Sequence, residues 1–311
     1  MSASALAAIT KYAQENDISD LATNRGTVHR AAVLSQEDTP FGPLIVEVPL
    51  VPDPPHAPRN LVMVNPFSYL HSAFAQGGGF KEIMVDKLRK HPPSPQKPWR
   101  LALYSDEVVP GNALSVSNKR KVWLMYFAFL EFEEHLSNDS TWIPLIAEPS
   151  HLFKAVSAGI WQVFAQVIKG FFGLLTFDLS KGGMQLIAPD STTYRLFANL
   201  AMVVQDGGAH THVFMCTGES GTKICMLCAN VVSRKSQLAA HDGTDQLVCS
   251  VVHESDLVFA SDSDIYGSID RLRYHKAHCT AREYKLWEQA IGYTINEHSL
   301  LCCDELREIV R

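Results

Sequence analysis

RLALYSDEV, residues 100–108, sets four apolar or aromatic side chains ahead of a serine and two carboxylates. A run this short and this apolar reads as a buried strand, with Asp106 held at its end and Glu107 beside it. Pro110-Gly111-Asn112 then turns the chain away. Two more runs follow. KVWLMYFAFLEF, Lys121 to Phe132, is rich in aromatics and Val, and TWIPLIAEP comes after the polar turn SNDS. Both read as strands. For Lys121 to Phe132 a helix is an open alternative, because a short apolar run cannot be typed by period alone. From His151 to Leu175 the period changes. Leu152, Phe153, Val156, Ile160, Val163, Phe164, Val167, Ile168 and Phe171 keep an i, i+3, i+4, i+7 spacing, which predicts one long amphipathic helix. MQLIAP, from Met184, is expected to be a short strand. The last apolar run, in YRLFANLAMVVQDGGAH, stops at Asp206-Gly207-Gly208.

The order is strand, strand, strand, long helix, strand, with an acid at the end of the first strand and of the last. An RNase H-like fold requires that order. The expected class is therefore α/β: an RNase H-like mixed sheet over residues 99–206 with flanking helices and a small Cys/His-rich insertion.

Composition narrows the rest. With 46% hydrophobic and 19% charged residues among 311, the chain is not disordered throughout. A net charge of −6 gives no global basic field, so any nucleic-acid contact must be local. The longest apolar candidate, Ala155 to Phe177, is interrupted by Gln162, Gln166 and Lys169, so no membrane contact is expected. The N-terminus lacks the basic and apolar regions of a secretory signal. Seven cysteines, an odd number, crowd into the last third, which suits reduced thiols in the nucleus or cytoplasm and not a secreted disulfide framework.

Five regions are expected: a peripheral polar segment at 1–40, a leader region at 41–98, the core at 99–208, a Cys/His-rich insertion at 209–250, and a helical region at 251–311. HPPSPQKPW, residues 91–99, holds four prolines in nine residues and separates leader from core. Within the leader, helices are expected in VNPFSYLHSAF and FKEIMVDKLRKH. Near the C-terminus they are expected at about Asp264–His278 and Ala281–Ile291, the first started by Ser261-x-x-Asp264.

Two sets of residues could carry chemistry. Asp106 and Asp206 each end an apolar strand and could bind divalent cations, Mg²⁺ or Mn²⁺, that act on a phosphodiester. Taken singly, each is also an ordinary turn residue before Pro-Gly or Gly-Gly. Cys225-Met-Leu-Cys228 has the spacing of two zinc thiolates. Further ligands would come from Cys216, His210, His212, His241 or Cys249, with His210 and His212 read as lying on one side of a strand. The alternatives are a buried apolar pair or a redox motif. Lys119–Lys121, and Lys87–Lys90 with Lys97 and Arg100, form basic clusters that read as solvated faces.

Three segments carry a resemblance: LALYSDEVVPGNALS with Asp106, FANLAMVVQDGGAH with Asp206, and CTGESGTKICMLCANVV with Cys216, Cys225 and Cys228. Over about residues 40–311 the chain resembles CACTA-type transposases and their Plavaka-like relatives. The resemblance implies an RNase H-like DDE/D domain that uses two divalent metals to cleave a DNA strand at a transposon end and transfer the new 3′ hydroxyl. Asp106 would match the first acid and Asp206 the second. Cys216, Cys225, Cys228 and His210 would belong to a small Zn²⁺-binding insertion. DNA is the implied partner, and a homo-oligomer is compatible with it. For the third acid Glu283, Glu288, Glu297 and Glu305 are available, but none sits in a matched motif. The expectation is an incomplete or inactive copy. The rival reading is a catalytically dead, zinc-stabilised domain that serves as a protein or nucleic-acid interaction module. An α/β hydrolase would need a Ser–His–acid triad that the sequence does not display.

Overall fold

The computed structural model describes residues 38–108, 121–173, 177–188, 190–218, 221–225, 227–233, 248 and 253–310. The segment expected to be peripheral, 1–40, lies almost wholly outside them, as do Pro110-Gly111-Asn112, His241 and Cys249. The chain forms two compact units, each taken over its described residues: Met1–Val156 with Gln166–Gln205, and Ser157–Ala165 with Asp206–Arg311.

The first unit opens with two small antiparallel pairs, β1 (Asp38–Thr39) with β2 (Gly42–Pro43) and β3 (Ile45–Leu50) with β4 (Arg59–Val64). Helices α1 (Pro66–Gln76) and α2 (Gly78–Lys90) follow. Asn65 starts α1 by accepting from the backbone amides of Phe67 and Ser68, and Pro66 occupies the first turn, where a missing N–H costs nothing.

The main sheet has four strands in the order β10-β5-β6-β7. They are β5 (Trp99–Val108), β6 (Val122–Phe129), β7 (Ile143–Pro149) and β10 (Ala198–Val204). β5, β6 and β7 run antiparallel, and β10 joins the other side of β5 in parallel. The sheet is mixed, as expected, and within Lys121–Phe132 the strand alternative holds over Val122–Phe129, paired from Leu101↔Phe129 through Val108↔Val122, while Leu130–Phe132 begin a 3₁₀ stretch. Leu101, Ala102, Leu103, Phe127, Ala128 and Phe129 are all buried, so the central strands have apolar neighbours on both faces.

The long helix is shorter than its apolar period implies. Residues Ser150–Ala155 form 3₁₀ turns, and the α-helix, α3, spans only Ile160–Phe172. Ala158 (φ 62°) and Gly159 (φ 54°) adopt left-handed backbone, which breaks the helical ladder between the two pieces. The stripe still goes inward: Val163, Phe164, Val167, Ile168 and Phe171 are buried. In the first unit Phe171 meets Phe127 edge to face, with ring centroids 5.0 Å apart. MQLIAP also departs from expectation. β8 (Met184–Ile187) pairs with β9 (Thr193–Leu196) in a separate hairpin and does not enter the main sheet.

Arg89, Lys90, Lys97 and Arg100 of the basic cluster at 87–100 are exposed, as expected of a solvated face, but Lys87 is not. Lys87 is 1% exposed; its Nζ donates to Glu133 Oε2 at 2.8 Å and to Glu134 Oε1 at 3.0 Å. Lys90 pairs with Asp86, and Arg100 with Glu131. The Lys87 bond holds the Glu133 carboxyl below its ordinary value, while Glu134 is lowered first by a backbone bond and then by Lys87. The bond to Glu133 in turn raises Lys87. Lowered carboxyls stabilise the fold above the ordinary carboxylate range and lose that contribution as pH falls through their folded values. The raised ammonium contributes below its unfolded value and loses it as pH rises through its folded one. The cluster should therefore stabilise fully between about pH 5 and pH 10. We expect Lys87→Met to lower the urea midpoint within that window and to flatten its fall between about pH 5 and pH 3, as read from denaturation curves across that range.

The second unit contains α4 (Gly207–Phe214), α5 (Asp262–His278) and α6 (Ala281–Ile291). The expected C-terminal helices are present. Ser261 and Asp264 form a reciprocal capping box at the start of α5, and Thr280 and Glu283 form one at the start of α6.

Candidate functional site

In the first unit, β5 carries Asp106 near its carboxyl end. The parallel register pairs Tyr104 of β5 with Val204 of β10. One residue on, Gln205 Nε2 donates to Ser105 Oγ at 2.7 Å, so the two strand ends remain side by side. Asp106 lies two positions past Tyr104, still within β5. In open sheets of this kind, ligands bind beyond the carboxyl ends of adjacent parallel strands.

The local chemistry separates Asp106 from Glu107. Glu107 is paired with Lys121 Nζ at 2.5 Å. Asp106 has no Lys or Arg partner among the described residues; Tyr104 Oη donates weakly to its Oδ2 at 3.4 Å. On the other face of β5, where Ser105 lies, Gln205 Oε1 is buried and has no hydrogen-bond donor. A buried carbonyl oxygen left unpaired costs free energy unless a ligand or water meets it. Asp106 is the oxygen donor at this strand end that could meet a hard divalent cation.

Asp206 belongs to the second unit. It is the N-cap of α4, where its Oδ1 accepts from the Ala209 amide at 2.6 Å. Capping engages that oxygen and fixes the carboxylate's orientation. The glycines after it start a helix. The strand expected for His210-Thr-His212 is therefore a turn of α4, and residues two apart on a helix do not share a face.

The cysteine loop is also in the second unit. Two short antiparallel bridges hold it: Cys216 opposite Tyr293, and Cys228 opposite Phe259. The Ala229 amide donates to Val258 O at 2.6 Å and the Thr217 amide to Gly292 O at 2.9 Å. Cys225 Sγ lies 3.0 Å from Cys228 Sγ, with both thiols free. The sulfurs face one another, as the CxxC spacing predicts, but stand closer than the 3.5–4 Å expected of two zinc thiolates. Burial, then the neighbouring Cys225, pushes the Cys228 thiol up to about 11, against a small opposing effect of Lys223. Burial also raises Cys216. Thiols raised this way are protonated at neutral pH, the reverse of an activated redox pair.

Among the described residues, no three His, Cys, Asp or Glu side chains are gathered closely enough to hold one ion. Cys225 and Cys228 come together without a third donor of that set. The candidate third acids are otherwise engaged or simply exposed. Glu283 caps α6, Glu288 is buried against Lys285, and Glu297 is exposed. Sequence reasoning missed Gln205, whose signal was its place between a strand run and Asp206. No helix among the described residues is long and apolar enough to cross a membrane. No protein-family model matches the chain, and no curated protein matches it at a significant level.

Proposed function

We propose that residues 99–206 form an RNase H-like core and that the chain is a transposase-like domain for divalent-metal-dependent cleavage and transfer of a DNA strand. The observation that carries this reading is the sheet order β10-β5-β6-β7, with β10 parallel to β5 and Asp106 near the carboxyl end of β5. Three antiparallel strands, a helix and a fourth strand parallel to the first are the arrangement that the acid placement calls for.

Asp106, in the first unit, would hold a cation, and Asp206, in the second, is the second acid that the resemblance implies. Such cations, when bound, activate a water or hydroxyl and stabilise charge on the phosphate and the leaving oxygen. The chain's own residues do the positioning. Tyr104 orients Asp106, and the Ala209 amide orients Asp206.

A second reading is favoured by the close Cys225–Cys228 pair: a catalytically inactive domain stabilised by Zn²⁺ that serves as an interaction module. Two described thiols do not complete a tetrahedral zinc site, and the remaining candidates His241 and Cys249 lie outside the described residues.

One assay separates the two. Purified chain with Mn²⁺ should nick supercoiled DNA, and Asp106→Asn and Asp206→Asn should each reduce the rate by about 100-fold or more, given the several kcal/mol that metal ions supply to such transition states. Nicking that survives both substitutions would overturn the acid-pair reading. No nicking, no Mn²⁺ binding in a titration, and about one zinc per chain would leave the interaction module.

A further inference from the structure

Between residues 271 and 285 the chain carries five Lys or Arg against one Asp or Glu, in a protein of net charge −6. This segment spans the junction of α5 and α6 in the second unit. Tyr266, Ile269 and Leu272 form the buried face of α5. Arg271, Tyr274, His275 and His278 follow the i, i+3, i+4, i+7 spacing of another face.

Four rings make a row there. Tyr274 stacks on His278 with centroids 4.2 Å apart and planes 20° apart. Tyr274 meets the edge of His275 at 5.6 Å. His275 in turn stacks on Trp287 of α6, at 3.8 Å and 11°. The rings are held in place: His278 Nδ1 bonds to Tyr274 O at 2.7 Å, and His275 Nδ1 lies 3.5 Å from Cys279 Sγ. Yet Tyr274 is 60% exposed, Leu286 60% and Trp287 36%. An ordered aromatic row contributes little to a core when it remains in water. Arg271, Lys276 and Arg282 adjoin it in sequence and have no acidic partner among the described residues. Glu283, the one acid of the segment, is engaged in capping Thr280.

We propose that this α5–α6 corner is a stacking platform for single-stranded DNA, with Tyr274 and Trp287 receiving bases and Arg271, Lys276 and Arg282 contacting phosphates. The choice of DNA rests on the strand-cleavage reading above. The preference for a single strand comes from the rings, because only unstacked bases expose a π-face to them. Arg273 and Lys285 are paired with Asp304 and Glu288, so Arg271, Lys276 and Arg282 are the cations that complement the phosphate backbone, and a planar ring accepts any base, so binding is sequence-tolerant.

The test is fluorescence anisotropy of a labelled thymidine 20-mer with the full chain in EDTA, which separates binding from metal-dependent nicking. Tyr274→Ala and Trp287→Ala should each weaken binding by about five- to 100-fold. Tyr274→Phe and Trp287→Phe, which keep a ring, should bind within about three-fold of the unsubstituted chain. Replacing Arg271, Lys276 and Arg282 together by Gln should lower the slope of log K against log salt by about two. An unsubstituted chain that binds the 20-mer but shows no nicking with Mn²⁺ would count against the acid-pair reading alone. Binding unchanged by both alanine substitutions would overturn the platform. So would equal loss in the ring-keeping variants, or tighter binding of duplex DNA or of the matching single-stranded RNA.

Discussion

Phe171→Ala is expected to destabilise the protein by about 3–5 kcal/mol, the range for deleting a buried phenyl ring. Phe171 is fully buried and meets Phe127 of the central strand β6 edge to face at 5.0 Å. Phe127 in turn meets Phe129, and Phe129 meets Trp99 and Phe132, so Phe171 ends a chain of aromatic contacts through the first unit. Truncation would remove the ring's transfer free energy and leave a void that close-packed neighbours fill only in part. Phe171→Leu keeps most of the volume and should cost about half as much or less. Ile187→Ala, at a side chain 49% exposed, should change stability by no more than about 0.5 kcal/mol. Urea denaturation of the three variants measures all three values. A loss below about 1 kcal/mol for Phe171→Ala would mean that α3 is not part of the cooperative core.

The strands were legible because each is a short apolar run bounded by polar or proline-containing segments, and because an interior strand must be apolar on both faces. The limits of α3 were not. Side-chain period reports which residues turn inward, and Phe153 and Val156 are buried like the residues of α3, although their backbone is not α-helical. What stops the helix is the left-handed backbone at Ala158 and Gly159, and an alanine gives no sign of that. Gln162 looked like a polar interruption of the run. It is buried, and its amide donates to Ser157 O at 2.7 Å, which closes the turn before α3.

The acids were legible as strand ends, but one residue carried two signals. Asp206 ends an apolar run and is also a good N-cap, so a strand reading carried past it put His210 and His212 in extended backbone when they begin a helix. Lys87 shows the limit of charge patterns. A run of basic residues says nothing about burial, which here depends on Glu133 and Glu134, more than forty positions away. The cysteine pair was legible from spacing alone, since two residues between thiols form one turn. The bridges that clamp it to Tyr293 and Phe259 connect distant segments and leave no local trace.

Gly292→Ala should cost about 2–5 kcal/mol, and the same substitution at Gly267 should be neutral or stabilising. Gly292 ends α6 with φ 86°, a left-handed conformation that costs an alanine about 1–2 kcal/mol. Space is short as well. A Cβ there would lie 2.7 Å from Lys223 Cβ and 3.3 Å from Lys223 O, so the cysteine loop would have to move, at a further cost of about 1–3 kcal/mol. The Gly292 carbonyl also accepts from the Thr217 amide, so displacement there would reach the bridge that carries Cys216. Gly267 lies inside α5, and a Cβ there would meet nothing within 4 Å. Alanine is the better helix former by about 1 kcal/mol, so the gain is the backbone freedom that glycine forfeits on folding. The two variants therefore test backbone conformation with one side chain, and thermal melts should move in opposite directions. The rate at which a thiol reagent modifies Cys225 and Cys228 should rise in Gly292→Ala and stay unchanged in Gly267→Ala. Equal rates in both would show that the cysteine loop does not depend on its contact with the end of α6.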